Sequence, residues 1–365
     1  MSTSTGPAST QPGSTQPGSR TARRVVVVGG GVAGLASAAS LRDGGADVVV
    51  LDRGRSPGGR LGLRRSGRGT PGERVVDVGA SYFVPRATSF AALAASWQDR
   101  GLARPWADTF LAVHRGDDGR VTSEPRSGPT RWAAPGGLRS LTDDLAAGLD
   151  GRGVPVRRQD VRSLTRTGGQ LAVDGEAVDG VVLAMPEPQA VRLLGPGLQD
   201  LAATLRPRSW TPVVTVWARW EHPWWPAMDG AFVAGSPAVD FVADDGRRRG
   251  DGAPVLVAHS TAQLARDHLG DPDAAVRPVL AELGDLLGDG SAPEPVETGA
   301  QRWTFARPDG GREETCLVAD DVAVCGDGWG PRPGVEQAWL SGTQAGVRLA
   351  ARLADAGPGV GARSA

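Results

Sequence analysis

The chain has 365 residues with 53 Gly, 28 Pro and 40% hydrophobic positions, enough for two domains and too little Gly and Pro for a collagen-like or low-complexity chain. Forty basic residues against 41 acidic ones leave a net charge of −1, so no bulk field favours a phosphate backbone or anionic lipid, and nucleic acid is not an expected partner. Only two cysteines and four histidines occur, which excludes a disulfide framework and a four-thiolate zinc site, and the absence of any Lys excludes a Schiff-base or P-loop lysine.

In chain order, residues 1–22 are rich in Ser, Thr, Gly, Pro and Gln, with STQPG occurring twice, and carry too little apolar surface to offset the entropy of ordering. A solvated tail is expected there and again at 357–365. Arg23-Arg24 before four valines resembles a twin-arginine export signal, but the stretch reads better as a buried strand entering a glycine turn. No run of about 18 apolar residues exists to span a membrane, and the cysteine usage fits a reducing cytoplasm. Val25 to Val28 reads as a strand covered on both faces, Val32 to Arg42 as a helix stopped by Gly44-Gly45, and Val48 to Leu51 as a second strand, which makes a βαβ unit. A loop rich in Arg and Gly leads to a short strand, Val75 to Val78, and a mixed region runs to Pro135. Leu138 to Leu149 is an amphipathic helix, and Val154 to Val156, Leu171 to Val173 and Val181 to Ala184 are strands expected to return to the first sheet. Trp210 to Trp220 alternates like an antiparallel strand with one covered face. Strands near Gly230 to Val233, Val255 to His259 and Gln301 to Phe305 would complete a second sheet. Val322 to Cys325 is again a strand, followed by a glycine-rich turn and a helix from Val335 to Leu353.

The turn Gly29-Gly30-Gly31-Val32-Ala33-Gly34 carries the GxGxxG pattern in the context that gives it meaning: a strand before it, a helix after it, and Asp52 closing the next strand. Gly29 turns tightly, Gly31 admits a pyrophosphate and Gly34 lets the helix pack on the strand. The pyrophosphate then meets the unpaired amides and positive end of the helix, at Val32 and Ala33. Asp52 would accept from a ribose hydroxyl. The next loop, Arg53-Gly54-Arg55-Ser56-Pro57-Gly58-Gly59-Arg60, looks like the GG motif of flavoproteins, so FAD is expected rather than NAD. Gly58 and Gly59 would pass close to the cofactor, and Arg60 would bind pyrophosphate oxygens through its planar fork. Cys325-Gly326-Asp327-Gly328 resembles the Gly-Asp motif whose acid binds the ribityl chain. A helix starting at Val335 would then stabilise negative charge on the reduced pyrimidine ring. Arg53, Gly79, Ala80 and Val161 complete the expected cofactor-binding set.

From Val25 to Leu353 the chain resembles the renalase group of the flavin amine oxidase superfamily. Besides the glycine fingerprint, the resemblance is carried by Asp77-Val78-Gly79-Ala80-Ser81-Tyr82-Phe83, Trp132-Ala133-Ala134-Pro135-Gly136-Gly137-Leu138 and Val182-Leu183-Ala184-Met185-Pro186. It continues through Val257-Ala258-His259-Ser260-Thr261, Gln301-Arg302-Trp303 and Val335-Glu336-Gln337-Ala338-Trp339-Leu340-Ser341-Gly342. It implies an α/β protein: a doubly wound Rossmann-type FAD domain with an inserted α+β substrate domain on an antiparallel sheet. The FAD domain would comprise residues 23–81, 136–195 and 317–356, and the substrate domain 82–135 and 196–316. It also implies an oxidase that takes hydride from dihydronicotinamide isomers and passes it to O2 as hydrogen peroxide.

Amine oxidases proper usually keep a lysine near flavin N5 and often paired aromatic rings, whereas this chain has no Lys and one Tyr, which weakens an amine substrate. Asp52 stands where such flavoproteins more often carry Glu. Cys325 lies in a strand expected to be buried and Cys316 upstream of it, so noncovalent FAD is expected. Hydride transfer from a dihydropyridine needs stacking and water exclusion more than a strong base. Tyr82, Trp303 and Trp329 are the candidate aromatic walls, and the resemblance places His259 in the substrate pocket; packing in the core is the competing role for each. Two other readings remain open: a flavin amine oxidase or desaturase acting on a hydrophobic secondary metabolite, and a noncatalytic FAD-binding protein. No metal site is expected.

Overall fold

The computed structural model describes residues 22–356 apart from 71, 207, 289 and 291; the expected terminal tails fall, except for Ala22, outside these residues. One sheet runs in the order Leu317–Ala319, Val322–Val324, Gly180–Leu183, Arg24–Val28, Asp47–Asp52, Val156–Arg158. All its pairings are parallel except that of the edge strand Leu317–Ala319. Three distant stretches of sequence therefore build one sheet. Its central strands are valine runs because both faces are covered: Val25, Val27, Val50, Val181 and Val182 are fully buried.

Helix Val32–Asp43 lies on one face, beneath helix Val335–Asp355. Their backbones touch, since a Cβ on Gly342 would stand 2.0 Å from the carbonyl oxygen of Ala33, and one on Gly346 2.4 Å from that of Ser37. The other face is covered by helices Glu187–Val191 and Gln199–Leu205 and by a three-stranded antiparallel sheet, Leu164–Thr167, Gln170–Val173 and Glu176–Val178. This corrects one expectation. Leu171 to Val173 does not return to the first sheet, because tight turns on either side pair it locally in antiparallel hairpins.

The second sheet has seven strands in the order Glu297–Pro308, Trp210–Arg219, Val255–Ser260, Val239–Asp244, Gly230–Ala234, Arg104–Arg115, Val121–Ala133. It is antiparallel except where Gly230–Ala234 pairs parallel with Arg104–Arg115. Helix Val276–Leu287 packs on one face through Val279, Leu283 and Leu286. The strand Trp210–Arg219 departs from the expectation of one solvated face. Val214, Val216 and Ala218 face that helix, while Thr215 and Trp217 are also buried, because the sheet's other side is closed by the cavity and by Val76 and Val78.

A buried ionic cluster ties helix Asp245–Arg249 to strand Arg74–Asp77 and to the chain leading into helix Arg139–Asp150. The Arg248 guanidinium pairs with Asp245 and donates to the carbonyl oxygens of Ser81 at 3.2 Å and Asp77 at 3.4 Å. Arg249 reaches Asp245 at 2.9 Å, Asp77 at 3.2 Å and the Pro135 carbonyl at 3.1 Å. The second oxygen of Asp77 accepts from the Leu138 amide at 2.9 Å, at the start of helix Arg139–Asp150. All four side chains are almost wholly buried, so removing one would strand a charge without solvent.

Candidate active site

A cavity of about 1900 Å³ opens between the two sheets. Its floor begins where Arg24–Val28 hands the chain to helix Val32–Asp43. Gly34 is needed for close approach: a Cβ there would stand 1.8 Å from the Gly29 carbonyl oxygen. Gly31 differs, since nothing lies within 4 Å of where its Cβ would be, and no side chain caps the helix it precedes. The amides of Val32 and Ala33 are therefore left for a ligand. Open space above a glycine at an uncapped helix start fits a pyrophosphate.

All but one of the expected cofactor positions line this cavity: Gly29, Gly31, Val32, Ala33, Asp52, Arg53, Gly58, Gly59, Arg60, Gly79, Ala80, Val161, Gly326, Asp327 and Val335. Gly34 is the one behind the wall, as its packing role demands. Asp52 has a structural task besides facing the cavity. Its two oxygens accept from the Gly30 amide at 2.5 Å and the Gly54 amide at 2.6 Å, which clamps the glycine turn to the next loop. Each oxygen keeps a second acceptor site. The Arg60 fork closes on Asp327 at 3.0 and 2.6 Å and also donates to the Ala306 carbonyl at 3.2 Å. The guanidinium stands 4.9 Å over the Trp210 ring. The two ends of the chain expected to meet the cofactor thus meet each other, in the bidentate geometry that suits guanidinium and carboxylate.

The opposite wall comes mainly from the seven-stranded sheet, with Tyr82 added from the loop after strand Arg74–Asp77. Trp303 lines the cavity with its indole fixed by a hydrogen bond from Nε1 to the Val78 carbonyl at 2.7 Å, and a Cβ on Gly62 would stand 2.8 Å from its ring. Tyr82 lines it too, backed by Phe110 and Phe241 at ring-centroid separations of 5.9 and 6.3 Å. His259 completes the set, 5.2 Å from the Phe241 ring. Burial, with smaller contributions from the Arg307 and Arg248 charges, lowers its pKa from 6.5 to about 4, so its imidazole is neutral near pH 7. Trp329 is a correction: it does not line the cavity. It is buried among the residues that cover the first sheet, with the Arg312 guanidinium 4.1 Å over its ring, because the turn after Gly326 carries it inward.

Sequence reasoning missed Thr215. It is fully buried, lies directly across the strand pair from His259, and borders the cavity. Its Oγ1 and the Nε2 of His259 are both buried with no hydrogen-bond partner among the described residues. A strand read as half-solvated gave no reason to look for a buried polar pair. Sequence reasoning also missed the charge of the wall: ten arginines and four aspartates line the cavity, with no Glu.

A family model described as flavin containing amine oxidoreductase matches residues 103–349, and one described as NAD(P)-binding Rossmann-like domain matches residues 27–97. Among solved structures, wild-type putrescine oxidase bound to putrescine shares 17% identity at a TM-score of 0.69, covering 92% of this chain and 99% of that one. Cyclohexylamine oxidase from Brevibacterium oxydans IH-35A shares 16% at a TM-score of 0.68, with the same coverage. Identities this low speak for the fold alone. The glycine turn, the open space above Gly31, the aromatic wall and the family match converge: the chain belongs to the flavin-containing amine oxidoreductases and is an FAD-dependent oxidoreductase.

Proposed function

We propose that the protein oxidises dihydronicotinamide isomers, of the α-NAD(P)H or 2- and 6-dihydro-NAD(P) type, with noncovalently held FAD and O2 as the final acceptor. The observation that carries this reading is the cavity wall, which combines aromatic planes with an excess of arginine and contains no lysine. Such a wall suits a planar donor that carries phosphate and disfavours a protonated amine. Asp240, next to Phe241 in the wall, is paired with Arg307 at 3.1 Å. Both cysteines are buried, neither lines the cavity, and burial pushes the Cys325 thiol up, which supports noncovalent attachment.

When bound, FAD supplies a two-electron acceptor that takes hydride at N5 and is returned to its oxidised form by oxygen, with hydrogen peroxide as product. The chain's residues supply the rest. The amides above Gly31 and the Val335 helix start hold negative charge, and Trp303 and Tyr82 stack the donor ring and exclude water. Neutral His259 offers a hydrogen bond to an uncharged carboxamide without adding a cation to a ring that becomes cationic as it gives up hydride. Aromatisation of the donor drives the transfer, so no strong base is required. Purified holoenzyme should consume oxygen with these isomers and be indifferent to putrescine and cyclohexylamine. Rapid flavin bleaching by amines alone would assign the site to an amine substrate instead.

A further inference from the structure

Three of the arginines that line the cavity take no part in hydride transfer. Arg64 belongs to strand Leu63–Ser66, Arg68 to the turn after it, and Arg139 opens helix Arg139–Asp150; all three line the cavity. On the same hairpin, Arg65 pairs with Glu73 at 2.8 Å and Arg74 with Asp251 at 3.2 Å. Arg64, Arg68 and Arg139 make no such pair among the described residues. They instead oppose one another: Arg64 is held below the ordinary guanidinium pKa, first by partial desolvation against the cavity wall and then by the Arg139 and Arg68 charges. The acid that feels Arg139, Asp143, is beyond ion-pair distance and is itself raised by burial. The Nε of Arg139 is buried without a partner.

The position of the cluster says what it faces. Arg139 stands over the cofactor loop, since a Cβ on Gly58 would lie 3.4 Å from its Nε. Arg64 donates to the Gln301 side chain, two residues from Trp303 on the substrate sheet. Arg64 thus sits beside the stacking wall and Arg139 over the cofactor loop, with Arg68 lining the cavity near Arg64. The cofactor's own pyrophosphate is provided for at the helix amides above Gly31.

We propose that Arg64, Arg68 and Arg139 hold the pyrophosphate of a dinucleotide substrate, so that the enzyme selects dihydronicotinamide dinucleotides over the corresponding mononucleosides. The proposal rests on the dihydronicotinamide reading of the site. Repulsion among three guanidiniums without a carboxylate is relieved by a dianion that each can meet with a planar fork. A nicotinamide stacked on Trp303 leads its phosphates outward past Arg64.

The test uses FAD-loaded wild type and the Arg64→Gln/Arg68→Gln double variant; Arg64 and Arg68 are both exposed, so the fold is not at risk. ADP-ribose, which has the pyrophosphate and no nicotinamide, is titrated by calorimetry. KM and kcat are measured for α-NADH and for its dihydronicotinamide mononucleoside. The double variant should bind ADP-ribose about tenfold or more weakly and raise KM for α-NADH by a similar factor, as expected for lost charge-assisted contacts. The mononucleoside KM and the α-NADH kcat should each move less than about twofold, and added salt should erase the difference between the proteins. Unchanged ADP-ribose binding and unchanged KM would overturn the proposal. Loss of FAD from the variant with an unchanged KM would also overturn it, by giving the cluster to the cofactor. If wild type oxidises no dihydronicotinamide but binds ADP-ribose through these arginines, the reaction reading fails and the anion site stands.

Discussion

At the scale of single residues, the site separates groups that hold the fold from groups that meet ligands, and substitutions can read the difference. Nothing lies within 4 Å of a Cβ on Gly31, so Gly31→Val should fold like wild type but purify colourless, with the branched side chain in the pyrophosphate's place. A yellow, FAD-loaded variant would show the pyrophosphate to be elsewhere. Trp303→Ala should keep FAD while slowing anaerobic reduction about tenfold or more, because the donor loses its stacking plane; stopped-flow bleaching checks this. His259 gives a pH signature. With its pKa lowered from 6.5 to about 4, the unfolded chain takes up a proton across that window that the folded chain refuses. Stability should therefore fall as pH drops from about 6.5 towards 4, and His259→Gln should flatten that part of a thermal-melt series. For the same reason the reduction rate should show no histidine inflection between about pH 6 and 8; one near 6.5 would mean that His259 titrates like an exposed imidazole.

At the scale of elements, the ionic cluster fastens helix Asp245–Arg249 to strand Arg74–Asp77 and to the start of helix Arg139–Asp150. Asp245→Asn leaves Arg248 and Arg249 buried against Asp77 alone, and should cost about 3–5 kcal/mol in denaturant unfolding. A change near zero would mean that the guanidiniums reach water when their partner is removed. The elements legible in the sequence were those whose pattern is set locally. Arg24–Val28, its glycine turn and helix Val32–Asp43 are readable because a parallel strand covered on both faces must be continuously apolar. The hairpin Arg104–Arg115 and Val121–Ala133 was not. Its second strand carries Glu124, Pro125, Arg126 and Gly128 and is mostly exposed at a sheet edge, where charge and proline are tolerated and no apolar alternation is required. Helix Val276–Leu287 was missed although Val279, Leu283 and Leu286 form a clear apolar face, and that spacing could have found it.

At the scale of the whole molecule, the cofactor reading depends on sequence ends that meet only after folding. Gly29 to Asp52 could be read locally, and Gly326-Asp327 by resemblance. That Arg60 closes on Asp327 across 267 positions, or that Thr215 lies beside His259, is a property of strand order and register, which no local pattern encodes. Trp329 shows the converse: a motif fixed its place in the chain, while the direction of one turn sent its ring to the core. The arginine lining is likewise assembled from several separate loops and strands, so a net charge of −1 concealed a strongly cationic cavity. The measurement that bears most directly on the central claim is anaerobic mixing of the yellow holoenzyme with α-NADH, 6-dihydro-NAD and ordinary NADH in turn, followed at the flavin absorbance. Rapid bleaching by the first two and slow or no bleaching by the third is the predicted result; flavin that stays oxidised with both isomers would contradict it.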